Sequence, residues 1–204
     1  MFSKNQSGSS LNRQLFETYM ALDNWHQFRL RLFIEGIFVG IAGGLSISLF
    51  RFLLNESEDL RIHLYYACLI PALRRDDLLP LLSYTLLLLV IGGALCAMCR
   101  YAPMAGGSGI PQVKGVILGL MKMKWLRILW VKILAGAIGI GAGLSLGREG
   151  PSIQIGAVAG QGLSRMLGRT RMEERYLITS GASAGLAAAF NAPLAGMMFA
   201  LEEL

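Results

Sequence analysis

Three short stretches of this sequence set glycine or asparagine close to proline in otherwise apolar surroundings: GSGIP (residues 107–111), GREGP (residues 147–151) and NAP (residues 191–193). Proline early in a helix sacrifices no hydrogen bond, because its missing N–H would be an orphan there. Each stretch therefore reads as a break followed by a helix start. Such a start exposes unpaired N–H groups and about half a positive charge, and anions bind at such ends. The first two stretches look anion-facing and carry side chains suited to that chemistry. Ser108 offers a hydroxyl donor, against the plainer alternative of a helix N-cap. Glu149 is a carboxylate that, at membrane depth, is costly enough to be functional by default. Its plainer alternatives are a salt bridge to Arg148 or an acid complementing the helix dipole. Neighbouring residues on a helix do not face each other, which weakens the simple pair.

The solvent of the chain decides how these breaks are read. Hydrophobic residues make up 54% of the 204 residues and charged residues only 16%. Residues 78–99 and 177–201 carry no charge, and each is long enough for a hydrocarbon core that needs about 20 residues. Shorter apolar runs cover residues 36–50 and 133–147. The chain reads as an integral membrane protein with several helical spans. Residues 1–21 are polar and mixed, without the short apolar region of a secretory signal, so the first apolar run is expected to insert and stay. The net charge of +6 comes from basic clusters between spans and is no nucleic-acid signal. Lys4, Arg13, Arg29 and Arg31 precede the first span, Lys114, Lys122, Lys124 and Arg127 form a second group, and Arg165, Arg169, Arg171 and Arg175 a third. The positive-inside rule puts these, and the N-terminus, in the cytoplasm, and an acid-rich loop at residues 55–77 outside.

Along the chain, residues 1–27 are expected to form a cytoplasmic N-terminus with an interfacial amphipathic helix at about residues 11–25, and residues 28–204 the membrane domain. Within that domain the first span starts near Arg29 and the second fills residues 78–99. A short segment follows at 112–121, then a span at 125–146 and a helix at 152–167. Asn191 and Pro193 split the last apolar run in two. Glycines recur at small-xxx-small spacing (Gly36, Gly40 and Gly44; Gly139 and Gly143; Gly156 and Gly160), which lets helix backbones approach closely inside one fold. Cys96 and Cys99 read as packing residues, since no second pair or histidine cluster accompanies them. Lys132 reads as snorkelling or structural, and His26 and His63 as interfacial. No glycine break follows a predicted strand, which argues against a nucleotide-binding enzyme.

GSGIP, GREGP and AAAFNAPLAG (residues 187–196), in this order and on membrane spans, resemble the CLC family of chloride channels and proton-coupled chloride transporters. The resemblance covers the N-terminal half of that fold. It implies an all-α polytopic membrane protein of tilted and broken transmembrane helices, one half of an inverted repeat. The family's GxFxP motif and pathway tyrosine belong to a second half, and a complete member is expected to be a homodimer. Implied too are chloride and protons as transported ions, no cofactor, no enzyme activity and residence in a bacterial inner membrane. Position by position, Ser108 would donate its hydroxyl to a central anion, with the backbone around Gly107, Gly109 and Ile110 adding positive potential. Glu149, beside Gly150, would be the external gating glutamate. As a carboxylate it competes with chloride, and once protonated it swings away and carries the proton. Arg148 would anchor the loop or tune the field. Glu203 aligns with the internal proton-transfer glutamate, against the plain reading of an interfacial acid. Glu203 favours exchange over a passive chloride channel. A non-transporting membrane scaffold is the third alternative.

Overall fold

The computed structural model describes residues 6–71 and 78–204, with side chains for residues 30–67, 69–71 and 78–204. Among the described residues every regular element is helical. Helix α1 runs Gln6–Leu64 and passes into a wide π-turn, Tyr65–Leu69. Helix α2 is Leu78–Tyr101, and a single 3-10 turn, Pro103–Ala105, leads to the short α3, Ile110–Ile117. Then come α4 (Trp125–Gly141), α5 (Glu149–Met166), α6 (Arg171–Phe190) and α7 (Pro193–Glu203). All three breaks fall where glycine, asparagine and proline place them. The acid-rich stretch does not form the expected loop: helix continues to Leu64 and the π-turn to Leu69. No glycine or proline lies between Gly44 and Pro71 to stop it. Alternating acids and bases mark an exposed surface, and an exposed surface can be helical.

The chain divides into two compact units, Met1–Ile37 and Phe38–Leu204. In the first, Arg31 Nε lies 3.4 Å from Glu35 Oε1 one helical turn away. The amphipathic face expected at residues 11–25 lies outside the described side chains. The second unit holds every element discussed below. Among the described residues, two segments are long and apolar enough to cross a membrane, Leu30–Ala67 and Leu78–Tyr101. None of the α2 residues is buried, and its leucines other than Leu95, together with its valine, are exposed. Such a surface is compatible with lipid and not with water.

The core of the second unit is built by α5 and α6, whose backbones touch. A Cβ on Gly156 would strike the carbonyl of Gly181, one on Gly160 that of Leu177, and one on Gly185 that of Ser152. Small residues at these positions are what permits the contact, as expected for helices that associate by packing in lipid. The Gly156/Gly160 spacing is therefore used within the fold. The first glycine series behaves differently: Gly40 and Gly44 meet nothing within 4 Å, and Gly43 instead packs 3.8 Å from Ala184. Around the seam, Val113, Ile128, Ile153, Val158 and Ile178 are fully buried, and Phe50 of α1 lies against Gly136 of α4.

Candidate anion site

Residues 102–109 leave α-helical geometry at the end of α2, where each unpartnered backbone group at membrane depth is costly. Side chains from three other places take up the carbonyls. Gln154 Nε2 donates to Met104 O at 2.7 Å, and Gln112 Nε2 to Gly106 O at 2.9 Å. Lys132 Nζ donates to both Ala105 O (3.0 Å) and Gly107 O (2.8 Å). Four successive carbonyls are thus held by one lysine and two glutamines. Gln154 and Lys132 are 0% and 5% exposed, so the clasp is buried. Lys132 does not snorkel to an interface; its ammonium is turned inward onto the break.

The amides are left over. No backbone acceptor is present, among the described residues, for the N–H groups of Gly107, Ser108, Gly109 or Ile110, nor for those of Gly147, Arg148, Glu149 or Gly150. The left-handed backbone of Gly109 (φ 100°) turns the chain into α3, a conformation that an L side chain resists. The two breaks are in contact: a Cβ on Gly150 would collide with the carbonyl of Ser108 and stand 2.8 Å from its hydroxyl oxygen. Gly150 is therefore the residue that lets α5 begin against the Ser108 loop.

Together the two breaks line a cleft of about 540 Å³. Gly107, Ser108, Ile110, Lys132, Glu149 and Gly150 all face it, and apolar side chains of α2 and α4 complete its walls. The arrangement is an excess of hydrogen-bond donors in an open, mostly apolar cleft, which is chemistry suited to an anion. Glu149, the first residue of α5, is a carboxylate at the positive end of a helix dipole.

Two expected site residues sit elsewhere. Arg148, the N-cap of α5, is drawn to Glu58 of α1, with its Nη2 on Glu58 Oε1. Its side chain does not line the cleft. Glu203, at the end of α7, accepts from Lys114 Nζ at 2.7 Å, and both side chains are about half exposed. Lys114 lies on α3, so that short helix starts at the cleft and reaches the Glu203 pair one turn later. The third break is an internal joint. Asn191 is left-handed (φ 52°), Ala192 N donates to Ala187 O, and Arg51 Nη1 reaches Ala188 O and Asn191 Oδ1, each at 3.3 Å. Sequence reasoning passed over Gln154 and treated Lys132 only as snorkelling or structural. A charged residue at the edge of the uncharged run 133–147, within α4, was the available signal. Among the described residues no group of histidine, cysteine and carboxylate side chains could hold a metal.

Residues 86–204, more than half of the chain, match the family described as voltage gated chloride channel. The H(+)/Cl(-) exchange transporter ClcA of Cronobacter sakazakii is 49% identical over 106 residues, covering 52% of this chain and 23% of that protein. The transporter of the same name from Vibrio cholerae is 46% identical over the same shares. The aligned stretch is thus less than a quarter of either relative's length. Among solved structures, the X-ray structure of a slow cyanobacterial Cl-/H+ antiporter superposes with a TM-score of 0.71 at 37% identity. That superposition covers 85% of this chain and 40% of the antiporter. Fold, motif order and sequence agree that the chain is an all-α membrane protein belonging to the CLC family of voltage-gated chloride channels and their relatives.

Proposed function

We propose that this chain forms the N-terminal part of the anion path in a proton-coupled chloride exchanger. The observation that carries the reading is the division of backbone groups at the two breaks: side chains occupy the carbonyls at 104–107, and the amides at 107–110 and 147–150 remain available. Chloride is bound by donors alone, so a cleft that hides its acceptors and presents its amides suits it. Ser108 adds a hydroxyl. Glu149 is the movable anion mimic, its carboxylate competing for the amides and, once protonated, leaving them with its proton. Glu203 is the proton's entry on the opposite side, held by Lys114 between transfers. The activity for which these relatives are named, H(+)/Cl(-) exchange, supports the coupled reading over a passive channel. In this reading residues 1–27 are a cytoplasmic, interfacial segment and residues 28–204 the membrane part. The complete transporter works as a homodimer in a bacterial inner membrane, each subunit adding a second half to this one.

The test uses the complete transporter in liposomes, with chloride and proton fluxes recorded together under a chloride gradient. Glu149→Gln, with the size of a protonated glutamate but no titration, should keep chloride movement and lose proton coupling. Glu203→Gln should lose proton pumping with chloride binding near normal. Wild type moving chloride without protons would sink the exchanger; full coupling in Glu203→Gln would return that residue to a plain interfacial acid.

A further inference from the structure

A second concave site lies away from the anion path, where α5 ends, α6 begins and residues 118–124 leave α3. It is a cleft of about 160 Å³ whose floor includes Met123 and Ile178, each 1% exposed. Its rim carries Lys122, Arg165, Arg171 and Arg175 against a single acid, Glu174. That acid is already engaged: its Oε1 accepts from Gln161 Nε2 at 2.8 Å and from Arg165 Nε at 3.3 Å. Arg175 lies over the backbone of Gly119, whose φ is +79°. A Cβ there would stand 2.9 Å from Arg175 Nη2, so glycine makes room for the guanidinium. The four cations are drawn around one hollow, and the local charge is strongly positive over a floor that includes the buried Met123 and Ile178.

Gln161 narrows the choice of anion. It is 1% exposed and lines the cleft, its Nε2 is committed to Glu174, and its Oε1 is buried without a partner. A buried acceptor left unmet is costly. A halide cannot satisfy it, because a halide donates nothing. An oxyanion that carries a hydroxyl meets both requirements, presenting oxygens to the guanidiniums and an O–H to Gln161. Arginine's planar fork suits phosphate oxygens in particular. Arg165 also borders a neighbouring groove with Trp125, Leu126 and Trp130, aromatic and apolar residues of the kind that sit at a lipid interface.

We propose that this cleft binds a phosphate group bearing a hydroxyl, supplied by a phosphoglycerol lipid headgroup or by free phosphate. The guanidiniums of Arg171 and Arg175 and the Lys122 ammonium hold the phosphate oxygens, and Gln161 Oε1 accepts from the hydroxyl. The site is independent of chloride movement.

The experiment titrates the purified chain in neutral-detergent micelles at constant ionic strength, with chloride as the balancing ion. The probes are inorganic phosphate, phosphatidylglycerol and phosphatidylcholine, with heat of binding for the ion and native mass spectra for the lipids. Saturable binding is expected at one site per chain. Arg175→Met and Arg171→Met, both exposed positions, should each weaken it about tenfold. Saturation by inorganic phosphate assigns the site to free phosphate. Saturation only by phosphatidylglycerol, at least tenfold over phosphatidylcholine, assigns it to the headgroup. Absence of saturation by all three probes, or equal affinity in the Arg171→Met/Arg175→Met double variant, overturns the proposal. Circular dichroism and thermal melting of the variants separate lost binding from lost folding.

Discussion

The break at residues 102–109 and the break at residues 190–193 look alike as text, each a small or turn-forming residue running into proline. Their hydrogen bonds differ. At the first, side chains from α3, α4 and α5 take the carbonyls, and the amides of residues 107–110 have no backbone partner. At the second, the Ala192 amide bonds Ala187 O in a closing turn, and only an exposed arginine reaches the carbonyl of Ala188. At one break side chains of three helices hold the carbonyls, and at the other a closing turn and an exposed arginine do. Proline and glycine announce an interruption; distant side chains decide whether the interruption becomes a site.

The largest effect that could break this contrast is expected from Lys132→Met. Methionine keeps the length of the side chain and strands the carbonyls of Ala105 and Gly107. Two unmet buried acceptors, offset by relief from burying an ammonium, should leave a net loss of about 3 kcal/mol. Thermal melting in detergent reads the loss, and chloride affinity should fall with it. An unchanged melt would mean that the clasp holds nothing.

Gly150→Ala comes next. Its Cβ would enter the space of the Ser108 carbonyl, so the two breaks must separate, at about 2 kcal/mol for an overpacked contact that yields by backbone movement. Chloride titration of the complete transporter should show weakened binding with the protein still folded. Binding equal to wild type would show that the breaks need not touch.

The smallest effect belongs to the third break. Asn191→Gly suits the left-handed backbone and removes only a half-committed contact with Arg51, so stability should shift by less than about 1 kcal/mol. Chloride binding should not move at all. A loss comparable to that of Lys132→Met would erase the distinction between joint and site.

Much of this was legible in the sequence, for definite physical reasons. GSGIP, GREGP and NAP mark helix starts because proline and glycine act locally, within a turn of where they stand. Ser108 and Glu149 stand out as candidates because a polar group in an apolar run must be accounted for. The clasp was not legible. Lys132 lies 25 residues from the carbonyl of Gly107, and no local rule says that α4 will turn it toward that loop and not toward the interface. Gln154 is one residue of a helix rich in small and apolar neighbours, and its partner Met104 lies 50 residues away. Arg148 stands next to Glu149 in the chain, yet its charge is met by Glu58 on α1, 90 residues back. Charge pattern misled once, where residues 55–64 continue a helix in place of a loop. Spacing misled by a single position, where Gly43 and not Gly44 meets α6, because the face a helix turns to its neighbour is set by the whole packing arrangement.

The seam of bare backbone between α5 and α6 has a kinetic meaning. Where carbonyls lie against glycine with no side chain between them, there is no soft layer to shear, and one helix cannot slide past the other without losing contact along its length. Glu149 sits at the tip of that stiff beam. Whatever moves there must move by torsion about a few side-chain bonds, a process of picoseconds to nanoseconds, whereas displacement of whole helices takes microseconds or more. In the proposed exchanger the waiting time of such a gate would belong to the arrival of a proton, and α5 would supply the fixed post on which that small latch turns.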